Sequence, residues 1–223
     1  MSVVSSALAP VGRVLLRDVA LSRIREAIVA GDLPPGAVIK DADLAGRLGL
    51  SVAPVRAALA RLADEGLVES KPQSRTRVTP LVLAQVRDAA VVVRAMHEVA
   101  AREAAGRVTE ADVAAMRAAN ERFARAVDAG DLDAALAADD DLHAVLLDRC
   151  GNAAVASTAA RFAPAIRRLE RQRFGEAGHP SVELHDRLIA ACARHDVDAA
   201  VATTTEIWTA LLSQLEETIH GPV

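Results

Sequence analysis

The sequence is poor in aromatic side chains: its 223 residues include one Trp, three Phe and no Tyr, although 52% are hydrophobic. The interior must therefore be built from Ala, Val, Leu and Ile, a mixture that favours packed helices. Cysteine is scarce too. Cys150 and Cys192 form no metal-ligand spacing, and without a secretory signal they read as free thiols inside a core. Residues 1–10 lack a basic segment ahead of an apolar one, and no uncharged apolar run approaches the roughly 18 residues needed to cross a bilayer. These absences predict a soluble, cytoplasmic protein with no membrane partner.

Positive charge is in deficit overall, with a formal net charge of −4, which taken alone argues against a nucleic-acid partner. Its distribution reverses that inference. Residues 1–80 hold eleven Lys and Arg against eight Asp and Glu, a net +3, whereas residues 81–223 hold fifteen against twenty-two, a net −7. The change of character near residue 80 divides the chain into a tail over 1–16, a domain over 17–80 and a second domain over 81–223.

Residues 17–30 place Leu21, Ile24 and Ile28 on one helical face, and Gly31 with Pro34-Pro35-Gly36 stops that helix. A short helix over 41–48, Gly49 and a third helix capped by the Ser51 hydroxyl give the helix-turn-helix pattern. In the third helix Val55, Ala58, Leu59 and Leu62 follow i, i+3, i+4, i+7 spacing and face the core, while Arg56 and Arg61 lie off the stripe. Two short β-like runs, 67–71 and 77–79, bracket the turn Pro72-Gln73-Ser74 and predict a hairpin, or wing. A helix N-terminus enters the major groove while basic side chains grip flanking phosphates. The candidate contacts to double-stranded DNA are therefore Ser51, Val52, Ala53, Pro54 and Arg56, with Lys71, Arg75 and Arg77 of the wing. Singly each arginine reads equally well as a solvated charge; as a set within this architecture they read as a DNA face.

Gly31-Asp32-Leu33-Pro34-Pro35-Gly36, Asp43-Leu44-Ala45, Leu50-Ser51-Val52-Ala53-Pro54-Val55-Arg56-Ala57-Ala58-Leu59 and Glu65-Gly66-Leu67-Val68 together resemble the GntR family of bacterial regulators. The resemblance implies a homodimer whose winged domains read a short palindrome. The family commonly has Arg where Val52 stands and Gly near the wing tip where Arg75 stands, departures that bear on operator identity more than on DNA binding.

Beyond Pro80, glycines at 106, 130, 151 and 175 each follow a long Ala- and Leu-rich segment and read as helix C-caps, predicting roughly six helices. Thr109 and Asp112 have capping-box spacing, and Ser181 after Pro180 starts a later helix. The fold expected for the whole chain is mainly α, a winged helix-turn-helix followed by an all-α helical-bundle effector domain.

Over 131–150, Leu132, Leu136, Asp139, His143 and Leu146 share one stripe, so Asp139 and His143 point inward, and i, i+4 spacing lets both reach one ion. His185 shares a face with Leu188, Ile189 and Cys192. A buried carboxylate needs a cation or water, and Asp139, His143 and His185 could form a two-histidine, one-carboxylate metal site. The plainer alternative makes each histidine a core residue and puts Asp139 at a wet edge beside Asp140 and Asp141. His97 and Trp208 read as structural.

These three residues, with Gly151-Asn152 and residues 196–200, resemble the FadR-like subgroup, whose effector domain holds a divalent ion through an Asp and three His. The resemblance implies zinc, nickel or manganese and a small organic acid effector, with Arg94, Glu98 and Asn152 near the effector. The subgroup's third histidine falls near position 207, where this chain has Ile207. Arg94 and Glu98 also read as an i, i+4 surface pair. The leading reading is a DNA-binding regulator and no enzyme. A metal-dependent hydrolase stands beside it, since three ligands and an open position suit catalysis, as does a metabolite-binding protein without operator recognition.

Overall fold

The computed structural model describes residues 15–69, 76–173 and 181–219, and the contacts divide into two compact units, Met1–Thr79 and Pro80–Val223. The first unit begins with α1 (Leu16–Ala30), whose Ala20, Ile24 and Ile28 are buried at i, i+4, i+8, while Leu21 is half-buried beside them. Strand β1 (Val38–Ile39), α2 (Asp41–Leu48) and α3 (Val52–Asp64) follow. Between the last two, Gly49 at φ +65° takes the left-handed conformation that turns the chain sharply. The core stripe of α3 is Val55, Ala58, Leu59 and Leu62. Ser51 occupies the N-cap position, but its side chain makes no capping bond, contrary to expectation. At the other end Arg25 of α1 donates from Nε (3.0 Å) and Nη2 (2.6 Å) to the Glu65 carboxylate, a fork that fixes α1 against the end of α3.

The expected hairpin is the larger part of a three-stranded sheet in the order β1-β3-β2, with β2 at Val68–Glu69 and β3 at Thr76–Val78. The pairing is antiparallel, Val38 opposite Arg77 on one side of β3 and Val68 opposite Val78 on the other. Two residues of β1 are too short to show a period of two, so the sequence carries no visible sign of that strand. Residues 70–75, with Lys71 and Arg75, lie outside the described residues.

The second unit contains six described helices: α4 (Leu83–Ala104), α5 (Glu110–Ala129), α6 (Leu132–Cys150), α7 (Ala153–Arg173), α8 (Ser181–Ala193) and α9 (Val197–Ile219). Its core is dominated by alanine, with Ala100, Ala101, Ala104 and Ala105 fully buried against Met116, Leu142 and Leu188. Thr109 and Asp112 form a complete capping box on α5. Gly130 and Gly151 are left-handed C-caps. Gly106 is not: α4 runs into a 3-10 turn over Ala105–Arg107, so no left-handed residue is required there. Gly175 lies outside the described residues. Cys150 and Cys192 are free and buried, and no described helix is long and apolar enough to cross a membrane.

Candidate functional site

On the first unit, α3 turns its non-core side outward: Ser51, Ala53 and Arg56 are exposed, and Val52 and Pro54 are half-buried. Arg77, on the central strand, is exposed as well. The Arg56 side chain is 72% exposed and its Nε donates to Asp41 Oδ2 at 2.7 Å, so the start of α2 holds the guanidinium while its remaining donors stay available.

In the second unit, α6 and α8 bring Asp139, His143 and His185 together, with one ligand atom from each lying within 4.8 Å of the others. His143 Nε2 is 3.7 Å and His185 Nε2 3.4 Å from Asp139 Oδ1. The network around Asn120, on α5, decides what these nitrogens carry. Its Nδ2 lies 3.2 Å from the Val182 carbonyl and 2.7 Å from Asp186 Oδ1, two acceptors, so the amide nitrogen must be there. Its Oδ1 then accepts from His185 Nδ1 at 3.0 Å, which leaves His185 Nε2 a bare lone pair. That atom is buried and has no hydrogen-bond partner among the described residues, yet it faces a carboxylate oxygen. Two acceptors in such contact call for a cation between them. With ligand bonds of about 2.0–2.2 Å, tetrahedral edges are about 3.3–3.6 Å, close to the two spacings from Asp139 Oδ1 to the imidazoles, so the residues fit a divalent metal.

Electrostatics keep the imidazoles neutral. Burial pushes the pKa of His143 down from 6.5 to about 4 and, with help from His143, that of His97 to about 3; burial also lowers His185. Burial alone would raise Asp139, but the Arg167 guanidinium and then the two imidazoles outweigh it and hold the carboxyl well below the usual range. Arg167, on α7, gathers the acids: Nη2 donates to Asp139 Oδ2 at 2.6 Å and also to Asp140, Nε donates to Asp140 Oδ1 at 3.0 Å, and Nη1 to Glu170 Oε2 at 2.6 Å. Burial raises Glu170 despite that contact.

The cluster opens on a cavity of about 270 Å³ lined from α4, α6, α7, α8 and α9. Ile207 lines it and cannot ligate, and among the described residues no other His, Cys, Asp or Glu joins the three. His97 and Trp208, read from the sequence as structural, line the cavity too, with ring centroids 5.0 Å apart. Arg94, Glu98 and Asn152, placed near the effector by resemblance, are not among the residues lining this cavity. Arg94 and Glu98 follow the lining residues Val93 and His97 by one position, about 100° around the helix, and form a pair at 3.5 Å, with Glu98 accepting from Thr205. Asn152 Oδ1 accepts from Ala154 and Val155 and caps α7. Sequence reading missed Arg167 and Asn120, whose partners Asp139 and His185 are distant in the chain, and with Arg167 its neighbour Glu170. The visible hint was Arg167 and Glu170 at i, i+3 beside the apolar Ile166 and Leu169.

Known proteins give the same architecture. Residues 16–78 match the bacterial regulatory proteins of the gntR family, and residues 88–210 match the FCD domain. The chain is 25% identical over 185 residues to the HTH-type transcriptional repressor RspR of Escherichia coli (strain K12), covering 82% of this chain and 81% of that one. Its fold is similar to that of E. coli McbR/YncC (TM-score 0.81, 20% identity, 93% and 100% of the two chains). It is also similar to a putative GntR transcriptional regulator from Rhodococcus sp. RHA1 (TM-score 0.72, 16% identity, 93% and 99%). The chain thus belongs to the GntR family: it is a transcriptional regulator, not an enzyme, with a winged helix-turn-helix unit and a C-terminal FCD domain.

Proposed function

We propose that the protein is a homodimeric regulator that binds a short palindromic operator and changes its DNA affinity when a small carboxylate enters the FCD cavity with the help of a divalent metal. The unsatisfied His185 Nε2 facing Asp139 carries the metal part of this reading. Asp139, His143 and His185 would hold the ion, and a set of two imidazoles and a carboxylate suits zinc, nickel or manganese. When bound, the ion supplies a Lewis-acidic position for a carboxylate oxygen. Exposed Val91, Val92 and Val99 on α4 support a second copy of the chain as partner.

Zinc added to chelator-treated protein should raise stability by about 2.7 kcal/mol at a hundredfold excess over its Kd, read as a thermal shift, and His185→Ala should abolish the rise. A shift that survives His185→Ala would move the metal to another site.

DNA contact is assigned to the outward side of α3, with Ser51, Val52, Ala53, Pro54 and Arg56, and to Arg77, Lys71 and Arg75. Arg56→Ala should weaken binding to genomic fragments by about 1–3 kcal/mol, with affinity falling steeply as salt rises. Retention of those fragments by an Arg56→Ala chain with full affinity would break the assignment. The same fragments, screened for release by carboxylates on metal-loaded protein, test the whole reading. Failure of every fragment to bind would favour a metabolite-binding protein without operator recognition, a reading motivated by Val52 and Arg75.

A further inference from the structure

We infer that the ligand of the FCD cavity is a monocarboxylate with an apolar body, its head at the Asp139–His143–His185 end and within reach of the Trp208 indole N–H, its body between α4, α7 and α9. This rests on the carboxylate-effector reading above and narrows it.

The cavity is bipolar because of how α6 and α7 run. They are antiparallel neighbours joined at Gly151 and Asn152, with Arg167 bonded to Asp139 and Asp140 and Arg171 bonded to Asp133. Along α7 towards its N-terminus, the lining changes from Glu170 and Arg167 to Ala163, Ala159 and Ala156. Along α6 in the matching direction it changes from Asp139 and His143 to Ala144 and Leu147. At 1.5 Å per residue, both helices pass from charge to hydrocarbon within one to two turns. Val93 on α4 and Ile207 and Leu211 on α9 line the cavity as well.

This wall discriminates. A polyhydroxylated acid would place hydroxyls against aliphatic side chains with no partner, and each unmade hydrogen bond is costly. A second carboxylate meets a different obstacle. The one arginine among the described lining residues, Arg167, is already engaged by Asp139, Asp140 and Glu170. Space sets the size: a 150 Å³ cavity holds benzene, so 270 Å³ scales to about eleven non-hydrogen atoms.

Trp208 gives an independent indication. It is 8% exposed, it lines the cavity, and its Nε1 is buried with no acceptor among the described residues. Buried indole N–H groups ordinarily find a partner, and a ligand oxygen would supply one. Its ring centroid is 6.5 Å from that of His143, close enough for one carboxylate to serve both ends.

Trp208 is the only tryptophan in the chain, so its fluorescence reports on the cavity. The full-length zinc-loaded protein should be titrated with 4-methylpentanoate and phenylacetate, and with threonate and malate as polar acids of similar size, reading indole emission and thermal shift in parallel. The apolar acids should bind at least tenfold more tightly than the other two. Ala163→Leu should weaken phenylacetate at least tenfold with zinc affinity unchanged, and Trp208→Phe, followed by calorimetry, should weaken both apolar acids about tenfold. Tighter binding of threonate or malate would overturn this inference while leaving a carboxylate effector in place. Silence from all four acids in both readouts would overturn the carboxylate reading itself, and undiminished affinity in Trp208→Phe would remove the indole as an anchor.

Discussion

Replacing Arg167 with alanine should destabilise the FCD domain by about 3–5 kcal/mol, the usual cost of removing one partner from a buried ion cluster. The Arg167 side chain is 16% exposed and joins Asp139, Asp140 and Glu170, so its loss leaves three acids crowded at the end of one cavity. For a domain of this size the change corresponds to a fall in Tm on the order of 10 °C. The expected rescue is specific: zinc should restore more stability to Arg167→Ala than it adds to the parent, because an ion at Asp139 replaces part of the missing positive charge. Calorimetric scans with and without zinc measure both quantities. A fall in Tm below about 2 °C would show that water, not Arg167, neutralises these acids.

Acid should unfold the FCD domain well before the winged domain. All six histidines lie beyond residue 80, and His97 and His143 are held neutral with pKa values of about 3 and about 4 against 6.5 in the unfolded chain. Below 6.5 the unfolded chain binds protons that the folded one refuses, so stability falls as pH drops through that value and is lost progressively down to about 3. At about 1.4 kcal/mol per pKa unit, His143 alone withdraws about 3 kcal/mol by pH 4. The depressed Asp139 acts lower down, withdrawing its contribution as pH falls below its unfolded value near 3.8. Metal-free protein followed by hydrogen exchange from pH 7 to 4 should lose protection in α4 and α6 while α1 and α3 keep theirs. Uniform loss across both units would contradict the burial of these imidazoles.

What the sequence disclosed and what it hid follow one rule. The bounds of α2, the core stripe of α3 and the capping box at Thr109 are set by neighbours within one or two turns, and all were legible from spacing. Asp139, His143 and His185 were legible as inward residues because each sits on an apolar stripe. Their orientation was not, since it depends on Asn120, 65 residues from His185, and on Arg167, 28 residues from Asp139. Spacing alone did not tell Arg94 and Glu98 from their neighbours Val93 and His97, which line the cavity. Ser51 took its expected place without making the expected bond.

The alanine-rich interior has a consequence for how this domain can drift. Ala100, Ala101, Ala104 and Ala105 have no accessible surface and no rotamers, and the Met116, Leu142 and Leu188 side chains in their cluster are themselves fully buried. Enlargement at these positions has to be absorbed by moving whole helices. Variation in this lineage should therefore gather on the cavity wall, where Ala144, Ala156 and Ala163 border empty space, leaving ligand choice free to change while the scaffold stays fixed.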